Sequence, residues 1–147
     1  MIQQLETFCE KVATLGKGYS ECIYQEALCN ELRQNNIVYS KEQVIPVMYN
    51  QVVVGSMRMD IVLPHDKIII EIKAIDSELK ESHFPQIITY LKETGYSCGI
   101  YINFIQNPSK PVYEIYTVTD WSGKYLCKNN FSDKCLLFSL NGTKINE

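Results

Sequence analysis

The chain reads as an α/β domain in which helices flank a mixed sheet. Three observations predict it. Two stretches near the start carry apolar residues at three- and four-residue steps, the period of a helix with one buried face. A longer stretch, residues 37–74, alternates in twos and is punctuated by turn residues, as antiparallel strands are. A short helical segment then leads into an almost wholly apolar run, Ser97 to Phe104, the pattern of a strand reached by a crossover and paired in parallel.

The first helix spans residues 2–15, with Leu5, Phe8, Cys9, Val12 and Leu15 on one face. Gly16-Lys17-Gly18 breaks it. Ser20 is placed to cap a second helix that runs to about Gln34, its apolar face formed by Tyr24, Leu28 and Leu32 with Ile23 and Ala27 beside them. Asn35-Asn36 turns the chain into a strand from Ile37 to Tyr49, where Pro46 points to an edge or a bulge. Asn50-Gln51 makes a tight turn into Val52 to Leu63, with Gly55 a candidate bulge, and Pro64-His65-Asp66 turns again into Lys67 to Ala74. Residues 76–82 are polar and read as a loop. Ser82 is placed to cap a helix from His83 to Glu93, with Pro85 in its first turn and Gly95 at its end. Beyond the 97–104 strand, Val112 to Val118 and Cys135 to Leu140 read as strands in an otherwise turn-rich segment.

Size and composition narrow the class. The 147 residues suffice for one domain with a core, and the 46% hydrophobic and 21% charged content is that of a folded globular chain. No run approaches the roughly 18–20 apolar residues of a membrane span, and the opening residues lack a basic-then-apolar leader. The six cysteines are scattered without a C-x-x-C and read as buried free thiols of a reducing compartment. The expectation is an intracellular protein, cytoplasmic or nuclear, neither secreted nor bound to membranes. Two histidines without a cysteine pair make a zinc site a poor reading. Net charge is −3, with nine Lys/Arg against thirteen Asp/Glu in residues 1–104 and five against four in 105–147. A chain that grips duplex DNA through many phosphates is ordinarily basic, so contact with nucleic acid has to come from a local patch or a metal bridge.

The charges on the third strand carry the chemistry. Glu71 and Lys73 share one face, and Ile68, Ile70 and Ile72 the other. A strand this apolar is central, where a charge is costly unless paired or bound to an ion. Asp60 lies across the hairpin and reaches the same spot. Two carboxylates beside an ammonium suit a hard divalent cation such as Mg²⁺; a plain Glu71–Lys73 ion pair at a strand end is the alternative. Glu21 lies on the inward face of the second helix, where it either compensates the helix dipole or brings a third carboxylate to the strand site. His83, Gln86 and Tyr90 share a face of the third helix, and His83 can equally be a helix-start residue.

The order of these features resembles the αβββαβ core of the PD-(D/E)XK nuclease-like fold, also called restriction-endonuclease-like. Gly18-Tyr19-Ser20-Glu21-Cys22-Ile23-Tyr24 is similar to the motif that names its GxxExxY family, and Glu31-Leu32, Arg58-x-Asp60, Glu71-Ile72-Lys73, His83-x-x-Gln86, Tyr90-Leu91-Lys92 and Ile102-Asn103-Phe104 match the rest of the pattern. The resemblance covers residues 2–104. It departs at Ile105, where the family places Gly, and in the absence of an Arg-bearing end. It implies a nuclease-like core over 1–104, with 105–147 an added β segment packed on it as part of a single domain. It further implies that Asp60, Glu71 and the Ile72 backbone carbonyl hold Mg²⁺ or Mn²⁺, that Glu21 joins them, and that Lys73 orients or activates water. Gln86 and Tyr90, with His83, would support the site and touch nucleic acid, with DNA the expected substrate. The aromatic residues of the tail (Tyr113, Tyr116, Trp121, Tyr125, Phe131, Phe138) fit packing on the core or a homodimer contact better than base stacking. A non-catalytic module that retains the fold and binds nucleic acid or recruits a protein partner through the tail is the alternative function.

Overall fold

In the computed structural model, which describes residues 1–146, three helices and seven strands follow the chain in the order α1 (Ile2–Ala13), α2 (Glu21–Gln34), β1 (Ser40–Tyr49), β2 (Val52–Leu63), β3 (Ile68–Lys73), α3 (Phe84–Thr94), β4 (Cys98–Asn103), β5 (Glu114–Trp121), β6 (Lys124–Asn129) and β7 (Cys135–Phe138). All seven strands lie in one sheet in sequence order. Only β3 and β4 run parallel, joined through α3; the other neighbours are antiparallel. The sheet is therefore mixed, as predicted.

Two apolar layers sandwich it. On one face α1 and α2 bury Leu5, Phe8, Leu28 and Leu32 against Ile61, Ile70, Ile72 and Ile102. On the other, α3 buries Phe84, Ile87, Ile88 and Leu91 against Val62, Ile69, Tyr101 and Tyr116. Alternation along β3 explains the split, since Ile68, Ile70 and Ile72 face α1 and α2 while Ile69 faces α3. Tyr116, Tyr125 and Phe138 pack into the α3 layer, and Tyr113 packs against the α1 and α2 layer, whereas Trp121 and Phe131 are more than half exposed.

Local chemistry sets the boundaries. α2 ends in a Schellman turn, with Asn36 left-handed and Ile37 N–H donating to Leu32 C=O. That wrap holds residues 37–39 at the helix end, so β1 begins at Ser40 rather than at Ile37. Asn50 and Gln51 both have positive φ, the geometry of a two-residue hairpin turn. The β1–β2 register slips between Val47 and Met48, beside Gly55, and β1 is the sheet edge that Pro46 implied. Ser82 does not cap α3. It lies inside a 3₁₀ turn, Glu81–His83, and His83 occupies the cap position, its Nδ1 accepting the Lys80 N–H at 2.9 Å. Gly95 ends α3 in the left-handed region.

Three further expectations need correction. Residues 124–129, read as turn-rich, form β6, joined to β5 by a tight turn with positive φ at Ser122 and Gly123. Ile23 is 42% exposed, and Gln25 is buried in its stead. Cys9, Cys29 and Cys127 are buried, but Cys22 and Cys135 are exposed; all six are free thiols. No helix among the described residues is long and apolar enough to cross a membrane.

Candidate active site

Strands β2 and β3 pair over only three positions, Leu63 with Ile68, Val62 with Ile69 and Ile61 with Ile70. Beyond Ile61 the two strands are joined by side chains. The Asp60 N–H donates to Glu71 Oε2 at 2.8 Å, and the Ile72 N–H donates to Asp60 Oδ2 at 2.9 Å. The two carboxylates thus cross in the gap between the strands, each capping a backbone amide of the opposite strand. N–H and C=O of one strand residue point to the same side, so the Ile72 carbonyl opens onto this gap as well. The β2–β3 gap brings the Asp60 and Glu71 side chains side by side.

Two further elements hold the β2 backbone at Asp60, and a third brings a like charge to it. Gln25 of α2 points its side-chain amide at the Asp60 carbonyl, at 3.5 Å. The Tyr90 hydroxyl of α3 donates to the Arg58 carbonyl at 2.8 Å, fixing β2 two residues before the acid. Glu42 on β1 has positive φ, a strained backbone position of the kind that collects at functional sites, and its like charge pushes Asp60 further up. Sequence reasoning missed Gln25. Its signal was the four-residue step from Glu21, which places both polar side chains on one stripe of α2.

Glu21 opens α2. The approach to it is locked by the loop before the helix, where Gly18 N–H donates to Gln106 Oε1 at 2.6 Å and Tyr24 hydroxyl donates to Gly16 C=O at 2.7 Å. Lys17 Nζ reaches the carbonyls of Ile105 and Asn107. From there Glu21 comes into electrostatic range of Lys73 and Asp60. Lys73 ends β3, half-buried, and forms no ion pair with Glu71 among the described residues. His83 also lies in range of Lys73, while Gln86 is exposed one turn before Tyr90. Just past Lys73 the chain is pinned by a buried pair. Asn103 donates to Glu114 Oε2 at 2.9 Å and to Ser77 C=O at 2.9 Å, and Glu114 accepts the Leu79 N–H at 2.8 Å.

The electrostatics follow from burial. Glu71 is 4% exposed; burial pushes its carboxyl up to about 8, and neighbouring Asp60 adds to the push. Burial also raises Asp60, against the opposing pull of the Ile72 N–H and of Lys73, and burial raises Glu21. His83 is lowered by burial and by repulsion from Lys73. Three acids that resist charging beside one ammonium form a site short of positive charge. Its oxygen donors, two carboxylates and a carbonyl, match the preference of a hard divalent cation. No three His, Cys, Asp or Glu side chains among the described residues stand close enough together to cage an ion; the chemistry fits, with the carboxylates turned onto amides. A cavity of about 770 Å³ lies between the 77–82 loop and β7, and others of about 540 Å³ lie along β6 and β7, beside Tyr113 and Phe131, and between α1 and β5 and β6, all away from this notch.

A family model described as PD-(D/E)XK nuclease superfamily matches residues 2–118. The chain belongs to the PD-(D/E)XK nuclease superfamily. No curated protein matches it. A solved structure, "Crystal structure of SSO0001", shares the fold with a TM-score of 0.54 at 21% identity, over 68% of this chain and 50% of that one. The chain therefore spans half the length of that neighbour. The superfamily match reaches through most of β5, beyond the resemblance read over residues 2–104.

Proposed function

We propose that this protein is a divalent-metal-dependent nuclease of the GxxExxY family that hydrolyses phosphodiester bonds in nucleic acid, with DNA as the substrate, inside the cell. The observation that carries the reading is the crossing of Asp60 and Glu71 in the β2–β3 gap, next to Lys73. Asp60, Glu71 and the Ile72 carbonyl would hold Mg²⁺ or Mn²⁺, with Glu21 as the acid arriving from α2. Bound there, the ion supplies neutralisation of phosphate charge and acidity to a coordinated water.

The chain's own residues have separate tasks. Lys73 presents its ammonium from the strand face that carries Glu71, where it offsets phosphate charge and orients the attacking water. Gln25 and Tyr90 fix the β2 backbone so that Asp60 does not swing away. His83 and the exposed Gln86 lie at the start of α3 and offer donors to a nucleic-acid backbone. With a net charge of −3, the affinity for substrate comes from this local set rather than from bulk attraction.

The test is cleavage of branched, single-stranded and duplex substrates by the purified chain in Mg²⁺ or Mn²⁺. Wild type is expected to cut only with the metal. Asp60→Ala and Glu71→Ala should each lose at least a hundredfold in rate, as loss of a principal electrostatic group does. Equal cutting by the variants and wild type would remove the assignment.

A further inference from the structure

Tyr101 of β4 is fully buried, and its hydroxyl has no hydrogen-bond partner. Leaving a buried donor unpaired destabilises the folded state. Phenylalanine would keep the same ring packing, edge-on to Phe84 with centroids 5.6 Å apart, without that cost. The oxygen therefore needs a reason, and native structures supply one at functional sites or where an ordered oxygen atom completes the pair.

Its position gives the reason. Tyr101 is the in-register neighbour of Glu71 across the parallel β3–β4 ladder. Neighbours in register share a face of the sheet, so both side chains rise on the α3 side. Glu71 uses Oε2 to accept the Asp60 N–H, and its other oxygen makes no hydrogen bond among the described residues. An unpaired donor and a carboxylate with one free oxygen thus stand on the same face of adjacent strands, with no hydrogen bond joining them. The charges at Glu71, Glu21 and Asp60 also reach the phenol, raising it further after burial has done so.

We propose that Tyr101 is a positioning residue of the acid site, whose hydroxyl, unpartnered in the metal-free arrangement, donates to Glu71 once that carboxylate leaves the Asp60 amide to hold an ion, and fixes it there. The inference rests on the reading of Asp60 and Glu71 as metal ligands. A donor behind a ligating carboxylate sets its direction, and loss of such a partner typically costs about 10–100-fold in metal affinity or activity.

The experiment is titration of the full chain with Mn²⁺ by calorimetry, for wild type, Tyr101→Phe and Tyr116→Phe, with thermal melts of each in chelator. Tyr116 also carries a buried unpaired hydroxyl, one strand further from Glu71, and serves as the control. Tyr101→Phe is expected to weaken Mn²⁺ binding about tenfold, with the melting temperature in chelator unchanged or higher. Tyr116→Phe should leave the affinity alone. If Tyr101→Phe binds as tightly as wild type, or Tyr116→Phe weakens binding equally, the positioning role is overturned while the metal site stands. If wild type itself binds no Mn²⁺, both readings fall together.

Discussion

Glu71 is an acid with its folded pKa near 8 against an ordinary value near 4.5, so it favours the folded state most when protonated. Its contribution is complete below pH 4.5 and is lost as pH rises through 8; Asp60 and Glu21, raised by the same cause, act in the same sense. In chelator, the melting temperature should fall steadily across that window. Glu71→Gln should flatten the fall and stabilise the metal-free protein at pH 8 by an amount on the order of a few kcal/mol. Melts at a series of pH values check this, and an unchanged slope in Glu71→Gln would place the titration elsewhere. At this scale the sequence was informative where period-two alternation held, which is why Glu71, Lys73 and Asp60 could be read together. Gln25 was missed, despite its four-residue step from Glu21, because a polar residue next to an apolar stripe reads as solvent-facing until the partner strand is known. Glu42 was opaque because a left-handed glutamate leaves no mark in the sequence.

Among the elements, α3 depends on one missing side chain. Gly99 of β4 has an ordinary φ, yet a Cβ added there would sit 2.9 Å from Ile87 Cδ1 and 3.4 Å from Leu91 Cδ1. The glycine lets the helix settle onto the β3–β4 pair, and with it Tyr90 onto the Arg58 carbonyl. Gly99→Ala should lift α3 and destabilise the fold by about 1–3 kcal/mol, measured by urea unfolding; a change under 0.5 kcal/mol, the usual range for surface substitutions, would show that the layer yields freely. The parallel β3–β4 pairing was legible because a helix separates two apolar strands and a crossover of that kind has few outcomes. β6 was not, because its alternation is mixed and its turn, Ser122-Gly123, lacks the Asn-Gly or Asp-Gly signature of a tight hairpin.

For the whole molecule, the sheet continues past residue 104 into β5, whose Ile115, Tyr116 and Val118 are completely buried. β5 also contributes Glu114, the buried acid that holds Asn103 and the chain after Lys73. A fragment ending at residue 104 would strip both core layers and leave Asn103 without that acid, and it should fail to give a cooperative thermal transition. A sharp transition in the fragment would show that the nuclease core is self-sufficient. The split between β2 and β3 has a consequence for the sheet as a whole. At two central amides, Asp60 and Ile72, carboxylates take the place that a neighbouring strand's carbonyl fills in a continuous ladder. A cation that recruits those carboxylates must compete with the protein's own main chain and will set two protons free to exchange with solvent. Mg²⁺ should therefore make a hydrogen-exchange map of the sheet leakier at residues 60 and 72 while the rest stays as protected as before. Uniform protection at saturating ion would mean that the carboxylates bind it without letting go.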